Sequence, residues 1–174
     1  MFISGIALLA AGCLGAAIFV AAPGEAAREG ARPGRIVPQR SIDVLVLGVR
    51  PATVRARFGK RQRVRHLSES GSGKPITAWV YSRRKIVASF RHVKSKRMTL
   101  AEISTTSRRQ RTQSGARIGI TESTLKEKVA GLDCGDADAE RWCTIGRGLV
   151  HGKPQTVFVL RRDRLREVRI VLIF

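Results

Sequence analysis

The sequence predicts an α+β protein made of two tandem repeats, each a short helix followed by about three antiparallel strands. Three observations carry this expectation. One phrase is written twice, as "LGVRPATVRARFG" from Leu47 to Gly59 and as "IGITESTLKEKVAG" from Ile118 to Gly131. Aligned, Leu47 meets Ile118, Gly48 meets Gly119, Thr53 meets Thr124, Val54 meets Leu125 and Phe58 meets Val129. Strand-like segments follow each copy in the same order, and a unit that small buries too modest a core to stand alone, so two packed together make better physical sense.

The elements follow in chain order. Met1 to Pro23 carries no charged side chain and is followed by "GEAAREG", whose small residues suit a signal peptidase. Residues 1–27 therefore read as a signal peptide, or as a retained anchor long enough to span a bilayer. The basic residues nearest this apolar run, Arg28 and Arg32, follow it rather than precede it. Cys13 in "LAAGC" resembles a lipoprotein cleavage box, but the apolar run continues beyond it. Residues 28–41, with Pro33 and Pro38 among Gly and Arg, read as a flexible basic linker.

Repeat 1 spans 42–112. Pro51 suits a first helical position because its missing N–H would be unpaired there anyway, and Gly59 suits a C-cap. Val54 and Phe58, four apart, share a face. "ITAWVYS", "KIVASFRH" and "MTLAEISTTS" then read as strands, rich in β-branched and aromatic residues. Repeat 2 spans 113–174. Thr121 is the expected N-cap, Glu122 faces the positive end of the helix dipole, and Gly131 is the expected C-cap. "WCTIGRGLV", "QTVFVLRR" and "RLREVRIVLIF" are its strands, with "LREVRI" from Leu165 corresponding to "LAEIST" from Leu100.

Cys134 and Cys143 bracket the short polar stretch "CGDADAERWC" without the paired spacing of a zinc site. An even pair behind an export signal reads as a disulfide, which places the chain outside the cytoplasm, secreted or membrane-anchored.

The net charge of +20 favours anionic partners. The densest basic clusters are Arg55, Arg57, Lys60, Arg61, Arg63 and Arg65; Arg91, Lys94, Lys96 and Arg97; and Arg108, Arg109 and Arg111. "LRRDRLREVR" adds alternating arginines on the last strand. If these converge on one face they would hold a polyanion with strong salt dependence. Exposed aromatics for base stacking are not interleaved with them, and an exported chain is not expected to take nucleic acid as its partner.

The glycine, two-residue, helix opening followed by a short meander resembles the repeat of the β-lactamase inhibitory protein. One such unit also resembles the small lipoprotein of the outer-membrane assembly machinery. "RIGITESTLKEKVAG", the cysteine pair and "TVFVLRRDRLREVRIV" together are similar to a group of exported actinobacterial proteins. What the resemblance implies is a fold and, by analogy, an inhibitor or adaptor role. The inhibitory protein uses a sheet face rich in aromatics, whereas Trp79, Tyr81, Phe58 and Phe90 sit here where a core would use them and Trp142 sits in an expected loop.

No catalytic constellation emerges. "SESGSGKP" from Ser68 lacks the leading Gly and the hydroxyl after Lys that a phosphate loop requires. His66, His92 and His151 have no carboxylate or Cys partner at a repeated spacing, and no "GxSxG" is present. Asp136, Asp138 and Glu140 lack the turn Gly and distal Glu of a calcium loop. The expectation is a chain without enzyme activity, cofactor or metal: an exported binding module of the cell envelope that contacts anionic polymer, lipid or an acidic protein. The alternative is a secreted inhibitor or adaptor docking through its sheet face.

Overall fold

The computed structural model describes residues 34–68, 73–92, 97–137, 140–146 and 150–173. The apolar leader, Cys13, Lys94, Lys96, Asp138 and the middle of "SESGSGKP" lie outside the described residues. Three short strands, β1 (Ile36–Val37), β2 (Ser41–Ile42) and β3 (Leu45–Val46), form a small sheet in that order. Then come α1 (Pro51–Phe58), β4 (Arg63–Ser68), β5 (Pro75–Tyr81), β6 (Ile86–His92) and β7 (Met98–Thr105). The chain continues with α2 (Glu122–Lys128), β8 (Leu132–Ala137), β9 (Glu140–Ile145), β10 (Pro154–Arg161) and β11 (Arg164–Leu172).

This arrangement corrects the expected fold class. Four strands rather than three follow each helix, and all eight join one antiparallel sheet in the order β4-β5-β6-β7-β11-β10-β9-β8. Over the described residues the protein is mostly β, with two helices of 8 and 7 residues, and is not two α+β repeats of a helix and three strands. The two unforeseen strands, β4 and β8, are the two edges of the sheet. An edge strand needs no apolar run: β4 reads "RVRHLS" and β8 reads "LDCGDA", and their charges discourage pairing with another chain. The stretch expected to be a linker is structured from residue 34 onward, where β1 pairs with β2 and Ile36 is buried.

The helices begin as their sequences dictate. Pro51 opens α1, and Gly59 ends it at a φ of 75°, where a side chain would be strained. The Thr121 side-chain oxygen accepts the Thr124 N–H at 3.3 Å and caps α2. Val129 is the C-cap of α2 rather than Gly131, its N–H closing on the Leu125 carbonyl.

Register gives the sheet two unlike faces. Tyr81, Ile86, Thr105, Val168, Phe158, Cys143 and Cys134 lie in one cross-strand row. That face packs against Val54 and Phe58 of α1, Leu125 of α2, and Ile36, Ile42 and Leu45 of the small sheet, forming the core. The alternate residues face the other way, where no described element packs on them.

Candidate functional site

The structure distributes the predicted basic residues over several surfaces. Arg55 and Arg57 stand on the exposed side of α1, and the Arg57 Nη1 donates to the Val44 carbonyl at 2.5 Å. Arg61 stacks its guanidinium 4.5 Å from the Trp79 ring centroid. Arg63 and Arg65 project from edge strand β4 to the open sheet face, since they pair with Val80 and Ala78. Arg91 shares that face, and Arg97 is exposed just before β7. Arg108, Arg109 and Arg111 are exposed on the connection from β7 to α2. Among the described residues, no single basic face unites them.

Two recesses nevertheless gather cations. At the end of α1 and the start of β4, Arg55, Lys60, Arg61 and Arg63 line a hollow of about 280 Å³ with Gln62 and Val64. A larger one of about 560 Å³ is lined by Arg108, Arg117, Arg164 and Arg166 around Ile118, Gly119 and Ile120. Among the described residues, neither lining contains a carboxylate. The second recess forms because β7 ends at Thr105 while β11 extends further, so the connection before α2 runs beside the free start of β11. The Gly119 N–H donates to the Leu165 carbonyl at 2.8 Å and the Leu165 N–H to the Ile120 carbonyl at 2.9 Å. Arg117 ends the basic stretch "SRRQRTQSGAR" that starts at Ser107, and this pairing brings it to the strand.

The open sheet face holds what sequence reasoning missed. Ala78, Ser89, Ser104, Gln155, Val157 and Val159 are all buried there although no described helix or strand covers them. Longer side chains lie over this floor. Trp142, expected where the polar loop meets the strand "WCTIGRGLV", lies inside β9; its Nε1 donates to Glu140 Oε2 at 3.2 Å, and the Arg169 guanidinium lies 5.7 Å from its ring centroid. Arg169 also pairs with Glu167 at 2.9 Å, and Arg161 pairs with Glu140. Burial raises the Glu102 pKa above the ordinary glutamate value, against the pull of Arg169 and Arg91. The Gln155 Oε1 and Arg169 Nε atoms are buried without a hydrogen-bond partner. Alternation of Val with Gln, Ser and Arg along these strands was the available signal, but it reads equally well as a solvated face.

Cys134 and Cys143 form a disulfide, as expected, with Cα atoms 4.0 Å apart. They face each other across the β8–β9 hairpin rather than flanking a loop. Glu122 lies beside the bridge, but bonded sulfurs offer no thiolate to a metal. The Glu122 carboxylate instead pairs with Arg141 at 2.6 Å and Lys126 at 2.7 Å, and these two cations hold its pKa below the ordinary range. Arg141 reaches on to Asp136 at 3.1 Å. The acids noted for calcium are thus engaged by arginines at Asp136 and Glu140. His66, His92 and His151 are exposed on β4, at the end of β6 and in the turn before β10, well apart in the topology. Ser68 and Pro75, the first and last residues of "SESGSGKP", pair across β4 and β5.

No protein-family model matches the chain. No curated protein matches it either. Among solved structures, an extracellular protein containing a SCP domain from Bacillus anthracis str. Ames aligns at a TM-score of 0.45 and 12% identity, over 72% of this chain and 44% of that one. The chain thus spans less than half of that protein, and a likeness at this level carries no argument about fold or function.

Proposed function

We propose that the protein is an exported, non-enzymatic binding module of the cell envelope whose basic edge holds an anionic polymer or an anionic surface. The observation that carries this reading is the recess at β4, lined by four cationic residues with no carboxylate among the described residues of the lining. Arg65 extends the same charge along the edge strand. A chain of +20 draws anions from a distance, and a concave cationic edge gives them a place to settle. Export is supported by the disulfide together with the apolar leader.

The test is binding of long-chain polyphosphate, and separately of phosphatidylglycerol vesicles, at increasing salt. Affinity should fall linearly on a log–log plot, with a slope of roughly 0.7 to 0.9 per phosphate neutralised. Replacing Lys60, Arg63 and Arg65 by Gln should flatten that slope. Salt-independent binding would sink the proposal.

The open sheet face favours a second reading, an inhibitor or adaptor that docks on a protein. Its small buried residues, the half-buried Trp142 and the unpartnered Gln155 oxygen suit a partner that brings its own donors. Capture of one stoichiometric partner at high salt, lost in Trp142→Ala, would support it over the first.

A further inference from the structure

The recess beside the start of β11 differs in kind from the basic edge. We infer that it is a binding site for a compact ligand carrying two or more adjacent phosphoryl groups, independent of the polymer-binding edge. Its four arginines come from two segments far apart in sequence: Arg108 and Arg117 from the connection after β7, Arg164 and Arg166 from β11. No ion pair joins Arg108, Arg117 or Arg166 to a carboxylate among the described residues. Arg164 is fixed by a 3.0 Å hydrogen bond from its Nη1 to the Gly119 carbonyl. The nearby Asp163 carboxylate accepts the Glu122 N–H at 3.3 Å and lines the neighbouring hollow instead.

The fold does not require these arginines. The other half of the sheet has the same backbone arrangement: the Gly48 N–H donates to the Leu100 carbonyl at 2.8 Å, and the Leu100 N–H to the Val49 carbonyl at 2.9 Å. There the positions equivalent to Arg117, Arg164 and Arg166 are Val46, Thr99 and Ala101. One backbone thus serves with neutral side chains in one half and with cations in the other. Arg166 is also the extra residue of a bulge, because the register passes from Val159 opposite Glu167 to Leu160 opposite Leu165. Bulges re-aim side chains, and Arg166 is among the residues that line the recess.

Gathering four like charges in a hollow is unfavourable unless an anion relieves it. Guanidinium forks match phosphoryl oxygens two at a time. A single phosphate carries at most about two negative charges at neutral pH, so it leaves half of this charge unmatched. Adjacent phosphoryl groups match the charge of the four arginines that line the recess.

The test is calorimetric titration of the full-length chain with tripolyphosphate and with orthophosphate. Saturable 1:1 binding of tripolyphosphate is expected, with orthophosphate much weaker. Arg117→Gln with Arg166→Gln should weaken tripolyphosphate binding at least about tenfold, since each charge-assisted contact is a strong one, while Arg63→Gln should leave it unchanged. A melting temperature matching the parent shows that the variant folds, and Arg108→Gln, on an exposed connection, provides a second variant if it does not. Vesicles of phosphatidylcholine with and without diacylglycerol pyrophosphate, whose headgroup holds two adjacent phosphoryl groups, form the other arm. Binding to the doped vesicles that is lost in the same double variant identifies a lipid headgroup as the source, and tripolyphosphate binding alone identifies a soluble one. Absence of saturable binding, or loss in Arg63→Gln with retention in the double variant, overturns the inference. Because the edge variants leave this titration intact, failure of the polymer reading and failure of this one are separable.

Discussion

Gly48 and Gly119 occupy the same structural position in the two halves of the sheet: each donates its N–H to a leucine carbonyl, Leu100 or Leu165, at 2.8 Å. Both have positive φ, 83° and 102°, and a Cβ built on either meets nothing within 4 Å. Backbone conformation alone therefore demands glycine there. Gly48→Ala and Gly119→Ala should each destabilise the fold by about 1–2 kcal/mol, measured by urea unfolding. A neutral result at either position would show that its backbone relaxes out of the left-handed region.

That relationship was legible in advance, because glycine before a two-residue helix lead is a backbone requirement written in residue identity. So was much of the core: Phe58, Tyr81 and Phe90 are all buried, and the apolar spacing of α1 and the central strands points to them. The edges were not legible. Arg63 to Ser68 and Leu132 to Ala137 carry charge, glycine and a cysteine where a buried strand carries branched apolar residues, and only their neighbours make them strands. The four-arginine recess was hidden for another reason. Arg117 and Arg166 are far apart in sequence and meet only because β7 stops short of the start of β11.

The disulfide closes a short ring on an edge hairpin. In the chain-entropy account, a loop of about ten residues gives roughly 2.7 kcal/mol. Reduction, or paired replacement of Cys134 and Cys143 by Ser, should lower the unfolding free energy by about that amount in urea titrations. No measurable loss would mean that the β8–β9 ladder holds this edge without the bridge.

Thr121 caps α2, a helix too short to persist without tertiary support. Its side-chain oxygen takes the Thr124 N–H, and alanine removes that acceptor. Thr121→Ala should cost about 1 kcal/mol, while Thr121→Ser should restore most of it. Because α2 buries Leu125 against the core, the loss should appear as a lower melting temperature of the whole domain rather than local fraying.

Glu102 sits on the open sheet face opposite Ser89 of β6 and Val171 of β11, where burial outweighs the attraction of Arg169 and Arg91 and Glu167 adds to the rise. A carboxyl whose pKa is higher in the folded state than in the unfolded chain stabilises the fold when protonated. That contribution is complete below the ordinary value of 4.5 and is lost as the pH rises through the elevated folded value. Glu102→Gln keeps the neutral shape at every pH, so the variant should exceed the parent in stability near neutrality by on the order of 1 kcal/mol. The gap should close as the pH falls below 4.5. Melting temperatures of both proteins across that range decide the matter. A variant less stable than the parent at neutral pH would show that Arg169 holds the carboxylate charged and that the open face depends on the pair.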